Sequence, residues 1–270
     1  GKVLLYQDKF AEAASALDNV IGVYSLVSDY GSQFLRFGEN GPESVFEIQY
    51  SNQSNWYDWG CAHCSEGNYA IIMNGPRGWS GPEYAQGWSF NVPTAEFYNS
   101  FEEGDTRRDA TVLDIEAFAA ATGASYTEGY DHTGYFNNKY IPRAGESGGQ
   151  TELNYLTNFR IIRYSDVLLM AAEAYNRGGI DDGLAQEFLN QVRRRAFGGD
   201  DNDISASGTA LTDAIWEERK FELSLEGHRF FDLVRTGRAS SLITGFVEGK
   251  HEVFPIPQQE VDISGLTQNA

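Results

Sequence analysis

The chain has 270 residues with a formal net charge of −19, and 14% of its residues are aromatic. Such a charge repels the phosphate backbone of nucleic acids and is not attracted to an anionic bilayer, so neither is an expected partner. The longest strongly apolar run, residues 167–172, is far too short to cross a membrane. An apolar content of 41% predicts a folded, globular protein, and the composition is compatible with neutral ligands such as sugars or peptides.

The first elements are predicted to be a pair of helices. Apolar residues recur at helical spacing over residues 2–21, and residues 5–13 are typical of a helix, a short turn and a second helix. Small alanines in such a pair are characteristic of tetratricopeptide repeats, which need neighbouring repeats to bury their apolar faces. We therefore expect an N-terminal part to precede this chain, which starts without the features of a signal peptide.

The middle of the chain alternates one strand and one helix with two long loop regions. Period-two alternation predicts a strand over residues 43–50. A helix is predicted to open at Pro93-Thr94 and to end at Gly104-Asp105. Residues 51–92 and 119–152 are rich in glycine and aromatic residues without a regular period, and long loops within compact domains are usually functional.

The last third is predicted to be mainly helical. Apolar periodicity indicates helices over residues 155–177, 183–197 and 211–226, the last capped by Thr212 or Asp213. The segment 253–260, with two prolines, is predicted to be extended.

Several ordered segments of this chain resemble the SusD/RagB family. The matching segments are Asn158–Ala174, Leu189–Ala196, Glu218–Gly237, Phe254–Glu260, Gln268-Asn269, the Pro93-Thr94 helix with Phe101–Asp109, and the opening repeat leading into Ser44–Ile48. Because the motifs occur in the right order over nearly the whole chain except the two aromatic loops, the resemblance is specific.

The resemblance implies a fold and a division of the chain. The expected fold class is mainly α, a tetratricopeptide-like α-α superhelix with long loop insertions and few short strands. We expect residues 1–270 to be the C-terminal part of one such domain. Residues 1–40 would be its last helix pair, 41–152 a loop-rich region facing the ligand, and 153–270 the C-terminal helical region.

The resemblance also implies a function. Such proteins are outward-facing lipoproteins of the cell outer membrane that capture oligo- or polysaccharide and deliver it to a SusC-like TonB-dependent transporter. The lipidated cysteine is expected to lie in the N-terminal part, outside this chain. Two alternatives stay open: a peptide-capturing relative on the same fold, and a helical-repeat scaffold of the transporter complex that binds no ligand.

The charged residues of the C-terminal motifs are predicted to form ion pairs. Glu218, Glu222 and Glu226 alternate with arginines at helical spacing, which places opposite charges side by side. A catalytic carboxylate pair would need one raised pKa, whereas neighbouring arginines lower it. We therefore predict no catalytic residue, and no motif of nucleophilic or zinc-dependent catalysis occurs.

The first aromatic loop is the candidate ligand site. Sugar rings pack their C–H faces on flat aromatic rings, while their hydroxyls need polar partners. The candidate ligand-binding residues are Asn55, Trp56, Tyr57, Trp59, Trp79 and Tyr84. Burial in the core and contact with the transporter are competing interpretations of these aromatics. Tyr130, His132 and Tyr135 form a second candidate, whereas Trp88 and Trp216 are predicted to be structural.

Two further features leave alternatives open. Cys61 and Cys64 could form a local disulfide, remain inert thiols, staple a loop near a ligand site, or take part in metal or redox chemistry with His63. The acidic run 200–203 could be a solvated turn or could hold a cation, although it lacks the pattern of a calcium loop. We predict no bound metal and no cofactor.

Overall fold

The computed structural model describes residues 1–53, 58–148 and 151–269. Its contacts divide the chain into two compact units, Gly1–Glu226 and Gly227–Ala270. The helices of the first unit are α1 Lys2–Tyr6, α2 Phe10–Asp18, α3 Ala70–Met73, α4 Ala95–Asn99, α5 Arg107–Thr111, α6 Ile115–Thr122, α7 Tyr164–Arg177, α8 Asp182–Phe197 and α9 Gly208–Glu222. The helices of the second unit are α10 Arg229–Arg235, α11 Ala239–Leu242 and α12 Gln258–Ser264.

Short strands of the first unit form two-stranded antiparallel sheets. The strands are β1 Ser44–Ile48, β2 Arg77–Ser80, β3 Val112–Asp114, β4 Ser125–Thr127, β5 Tyr135–Asn137 and β6 Phe159–Arg163. β1 pairs with β6, β2 with β4, and β3 with β5. The predicted fold class, mainly helical with long loops and few short strands, is confirmed. Among the described residues, no helix has both the length and the apolarity that a membrane span requires.

Helix α7 is the centre of the helical core. It packs against α2, α8 and α9, and its Leu168 and Ala172 are fully buried. Ala13 and Ala14 of α2 belong to the same apolar cluster. Because alanine has no side chain beyond Cβ, it lets helix backbones approach closely, which explains its place in the predicted helix pair. Burial of each of the larger apolar side chains in this cluster contributes about 1.5–3 kcal/mol.

The predicted helix over residues 155–177 is wrong in its first part. Residues 159–163 form β6, which pairs with β1 so that Ile48 lies opposite Phe159 and Ser44 opposite Arg163. Phe-Arg-Ile-Ile-Arg fits a helical period in isolation, but the partner strand provides backbone hydrogen bonds that isolated propensity does not predict. The helix itself starts at Tyr164.

Other boundaries also differ from prediction, since α4 ends at Asn99 instead of Gly104-Asp105 and α9 ends at Glu222 instead of residue 226. Helix α9 starts at Gly208 after Ser207, so neither Thr212 nor Asp213 is its cap. Thr212 instead donates its hydroxyl hydrogen to Asn176 Oδ1 at 2.5 Å, which ties α9 to α7. The segment predicted to be extended is so up to Pro257, the N-cap with ψ 134°, and turns helical at Gln258.

Glu222 is the centre of a buried ion-pair network. Its fully buried carboxylate accepts from Arg195 at 2.6 Å, from Arg163 at 2.9 Å and from Arg107 at 3.2 Å. These arginines lie on α8, β6 and α5, so three separate elements converge on one side chain of α9. The predicted ion pairing of the C-terminal motif is therefore present, between elements at Glu222 and along a helix at Asp232 and Arg235 of α10.

The network extends from these arginines to Lys139, Arg193 and further carboxylates. Its cationic members are Arg107, Lys139, Arg163, Arg193 and Arg195, and its carboxylates are Glu43, Asp105, Glu218, Glu222 and Glu226. Each of these side chains is at most 9% exposed. Balanced charge allows so many ionised groups to be buried together, because an unpaired buried charge is strongly unfavourable.

Electrostatics at Glu222 follow from its neighbours. Burial acts to raise the pKa of Glu222, but the guanidinium groups of Arg195, Arg163 and Arg107 outweigh it and hold the pKa well below the ordinary 4.5. Lys139 shows the opposite balance, since burial lowers its pKa to about 8 despite the attraction of Glu226. Glu222 therefore stays ionised at neutral pH, as a structural carboxylate should.

Replacing Glu222 with glutamine should destabilise the fold strongly. The change leaves buried guanidinium groups without their shared charge, and removing one partner of a buried pair costs about 3–5 kcal/mol. Because the folded pKa is lowered, the advantage of the wild type should be complete above about pH 4.5 and shrink as the pH falls further. Urea unfolding at neutral and acidic pH measures both effects.

A matched control lies on the same helix. Glu217 pairs with Lys220 at 2.6 Å but is 47% exposed, and exposed pairs contribute about 0–1 kcal/mol. Glu217→Gln should therefore leave the free energy of unfolding nearly unchanged. Equal effects of the two substitutions would contradict a stabilising role for the network.

Candidate functional site

Trp59 begins a turn closed by a disulfide bond. The turn Trp59–Cys64 contains short 3₁₀ segments on either side of a kink at Cys61. Asp58 precedes it, and its carboxylate accepts from the backbone N–H of Gly60 at 2.8 Å. Cys61 and Cys64 are bonded to each other, with their Cα atoms 5.3 Å apart. Of the alternatives for this pair, the structure shows the disulfide, and it lies in the loop that presents Trp59.

The Trp59 ring is exposed but held in place. Its side chain is 40% exposed, and its ring centroid lies 5.5 Å from that of Trp88 with the planes inclined by 33°. Tyr69 meets Trp59 edge-on at 6.3 Å. The indole Nε1 donates a hydrogen bond to Glu152 Oε2 at 2.8 Å, which fixes the ring orientation. Part of the Trp59 ring is therefore exposed to solvent, while the hydrogen bond to Glu152 fixes the orientation of the ring.

Phe90 extends this surface beyond Trp88. The Trp88 and Phe90 rings meet edge-on at 6.4 Å, and Phe90 is 52% exposed. Their backbone is fixed by helix α3, since Trp88 N–H donates to Ile72 O and Phe90 N–H to Met73 O, both at 2.9 Å. We call Trp59, Tyr69, Trp88 and Phe90 the aromatic surface. Contiguous exposed aromatic side chains are uncommon on a soluble domain and usually mark an interaction site.

Arg77 provides polar donors at one side of the aromatic surface. Its Nε donates to the carbonyl of Trp88 at 2.7 Å, and its guanidinium carbon lies 5.6 Å from the Phe90 ring centroid. The side chain is exposed, and in the described part of the chain it forms no ion pair. An anchored guanidinium has further N–H donors available to a ligand.

Tyr50 approaches the surface from the end of β1. Burial first, and the neighbouring Tyr69 second, raise the pKa of Tyr50, so its hydroxyl stays protonated and can donate or accept. Apolar rings, a carboxylate at Glu152, a guanidinium and phenol groups thus occur together. This combination can pack the C–H face of a sugar ring and bind its hydroxyls.

Comparison with known proteins assigns the chain to a family. The model of the SusD family matches residues 42–252. The chain belongs to the SusD family. Its curated relatives include SusD-like protein P2 of Formosa agariphila, which is 31% identical over 208 residues, 72% of this chain and 39% of the relative. The SusD-family chain therefore spans about two fifths of the length of that relative.

Solved structures resemble the SusD-family chain over nearly all of its length. A laminarin binding SusD-like protein is 39% identical with a TM-score of 0.89, over 100% of this chain and 60% of that one. Surface glycan-binding protein A from Bacteroides thetaiotaomicron, in complex with laminarihexaose, is 33% identical with a TM-score of 0.88, over 99% of this chain and 61% of that one. The expected family resemblance is thus confirmed.

Trp79 and Tyr84, both predicted ligand-binding residues, do not join the aromatic surface. They pack on each other at 5.9 Å and on Phe118 of α6, in a separate apolar cluster. Tyr84 is only 4% exposed, and burial raises its pKa to about 12. Tyr84 therefore lies in the core, which was one of the competing interpretations, while Trp79 is half-buried, and a role of either in ligand binding stays a prediction. A Cβ at Gly81 would lie 2.4 Å from Ala124 and 2.9 Å from Trp79, so this glycine permits close packing.

The other predicted residues have different positions. Asn55, Trp56 and Tyr57 lie outside the described residues, and their role stays a prediction. Of the second candidate group, Tyr130 is 92% exposed, Tyr135 stacks on Tyr98 at 4.5 Å, and His132 lies beside Tyr126. The acidic run forms a turn in which Asp200 and Asp201 are exposed and Asp203 pairs with Arg194 at 2.6 Å.

Sequence reasoning missed Tyr69, Trp88 and Phe90. Trp88 was assigned a structural role, and its half-buried ring indeed packs against the cluster of Ile71, Ile72 and Tyr155 while also contacting Trp59. Tyr69 and Phe90 are isolated aromatics without periodicity. The only signal in the sequence was the concentration of aromatic residues in one long loop region.

Two tyrosines with contrasting exposure test this division of the loop. Tyr84→Ala should destabilise the chain by about 3–5 kcal/mol, since it empties space in a packed cluster. Tyr69→Ala, at a ring that is 41% exposed, should cost about 1 kcal/mol or less. Urea unfolding followed by circular dichroism measures both, and a larger cost at Tyr69 would contradict the assignment.

Proposed function

We propose that the protein captures glycan on the aromatic surface at the cell surface and delivers it to a SusC-like TonB-dependent outer-membrane transporter. The observation that carries the proposal is the pair of Trp59 and Trp88, whose rings lie 5.5 Å apart with Trp59 exposed and oriented by Glu152. Two adjacent indole rings offer a surface on which consecutive sugar rings can pack. The similar proteins described as laminarin binding or in complex with laminarihexaose support this choice and make laminarin the first ligand to test.

Capture without cleavage is part of the proposal. Glu218 and Glu222, the carboxylates of the family motif, are buried in ion pairs with arginines. A general acid for glycoside hydrolysis needs a raised pKa and access to substrate, whereas Glu222 has a lowered pKa and no exposure. These residues therefore hold the fold, and we expect bound oligosaccharide to be recovered intact.

Alanine at Trp59 or Trp88 should weaken laminarin binding about tenfold or more. Each substitution removes a ring on which a sugar packs, and aromatic contacts of this kind contribute about 1.4 kcal/mol or more, which is a factor of ten. Isothermal titration calorimetry with laminarihexaose on folded variants provides the measurement, and chromatography of the recovered sugar tests for cleavage.

Tyr130→Ala is the matched control for those variants. Tyr130 is 92% exposed but lies in the other aromatic loop, so its removal should leave affinity unchanged. If only Tyr130→Ala weakened binding, the site would lie in that second loop.

Two outcomes would favour the alternative functions. Binding of peptides but of no glycan would favour the peptide-capturing relative. Unchanged uptake in the Trp59→Ala, Trp88→Ala double variant would favour the scaffold that binds no ligand.

Arg77→Met should lower glycan affinity by about 1–3 kcal/mol. Methionine keeps an apolar stem beside Phe90 but removes the N–H donors, and a lost hydrogen bond to a charged group has about this effect. Arg36→Met, at an exposed arginine paired with Glu39, is the control.

Because a neutral sugar has no charge to be screened, calorimetry at low and high salt should give the same affinity for the wild type. A strong salt dependence for this neutral sugar would contradict binding through uncharged contacts and hydrogen bonds alone.

Delivery to the transporter predicts a stable association at the outer membrane. Tagged full-length protein, held there by an N-terminal lipid anchor, should co-purify with the TonB-dependent transporter encoded beside its gene. A variant with alanine at Trp59 and Trp88 should co-purify equally, because the aromatic surface serves the glycan. Absence of the transporter from detergent-solubilised, cross-linked complexes would contradict the delivery step while leaving glycan capture intact.

A further inference from the structure

The disulfide turn brings together three groups that could ligate a metal ion. The sulfur atoms of Cys61 and Cys64 and a ring nitrogen of His63 all lie within 4.8 Å of one another. His63 Nε2 lies 3.2 Å from Cys61 Sγ. His63 and Cys64 are exposed and Cys61 is half-buried, so solvent and small ions can reach the turn. In the disulfide form the sulfur atoms are bonded to each other and cannot act as thiolates.

Reduction changes the chemistry of this turn. Two molecules of a small thiol reduce the disulfide, supply two electrons and two protons, and leave as one external disulfide. The products are the free thiols of Cys61 and Cys64. Two thiols separated by two residues form one half of the ligand set of many structural zinc sites, and thiolate and imidazole are ligands that zinc prefers.

We propose that the reduced chain binds one zinc ion through Cys61 Sγ, Cys64 Sγ and His63. Zinc–sulfur bonds of about 2.3 Å and zinc–nitrogen bonds of about 2.0–2.1 Å place tetrahedral ligand atoms about 3–4 Å apart. The Cα atoms of the two cysteines are already 5.3 Å apart, so side-chain rotation brings the sulfurs to this separation without rebuilding the turn. Each thiol releases its proton to solvent as the zinc–sulfur bond forms, and water completes the coordination.

Zinc and the disulfide would fix the same turn. Both join residue 61 to residue 64, and Trp59 is the first residue of the turn Trp59–Cys64 that contains them. The reduced chain without metal has neither cross-link. This consequence rests on the proposed glycan function: affinity for laminarihexaose should be similar in the disulfide and zinc forms and lower in the reduced, metal-free form.

Metal titration of the reduced chain tests the site without reference to glycan. The chain is reduced with a phosphine, desalted without oxygen, and shown by thiol assay to carry two thiols. Cobalt(II), a spectroscopic substitute for zinc, should then give a sulfur-to-metal charge-transfer band that saturates at one equivalent and disappears when zinc is added. The disulfide form of the same chain should give no band. Reduced chain without a saturable band would overturn the proposal.

Variants separate the three ligands from adventitious binding. Cys61→Ser should abolish the band. His63→Ala should weaken zinc binding about tenfold or more, since losing even an outer partner of a ligand costs about 10- to 100-fold. His251→Ala, at an exposed histidine of the second unit, is the matched control and should bind as the wild type does. Binding that persists in Cys61→Ser, or that falls equally in both histidine variants, would contradict the assigned ligands.

Calorimetry with laminarihexaose on the three forms tests the coupling. Equal affinity in all of them would overturn the link between the turn and the ligand surface. Failure to bind glycan in any form would contradict the proposed function, and the cobalt titration would still decide the metal site.

Discussion

The carboxylate of Glu222 is the interaction on which the rest of the structure depends. It joins α9 to α8, β6 and α5 through three arginines, and the hydroxyl of Tyr30 donates to the backbone carbonyl of the same residue at 2.7 Å. Lys139 adds a second link, because its ammonium donates both to that carbonyl and to Glu226. The helical core and the loop-rich region are thus attached to each other through charged groups as well as apolar contacts.

A network of this kind favours one arrangement of its parts. Ionised groups lose their hydration when they are buried, so an ion pair contributes little over an apolar contact of equal size, but a misplaced partner is heavily penalised. Arg163 shows the consequence, since it pairs with Glu43, Glu222 and Glu226 at once and connects the region before β1 with the end of α9. Alternative packings would leave at least one of these charges unpaired, which explains how long irregular loops can hold a defined position.

The sequence predicts those features that depend on local periodicity or on family motifs. The helix pair at the start, α8 and the charged repeat of α9 were found because their spacing reflects a local structure. β6 was mistaken for helix because its strand character comes from a partner more than a hundred residues away in the sequence. The candidate site was located only as a region. Trp59 and Trp79 both lie in the loop region rich in glycine and aromatic residues, but Trp79 packs against Phe118 of α6 whereas Trp59 is 40% exposed, a difference that depends on tertiary packing.

The separation between fold and ligand surface has a physical basis at α3. Trp88 and Phe90 are positioned by backbone hydrogen bonds to Ile72 and Met73, which do not depend on the side chains at positions 88 and 90. Phe90, Tyr69 and Trp59 can therefore change with little effect on the core, whereas Trp88 is constrained because one side of its ring packs on the buried cluster. The exposed rings can therefore change while the buried ion-pair network stays the same. The family motifs accordingly identify the scaffold, and under the proposed function the rings that surround Trp88 would select the ligand.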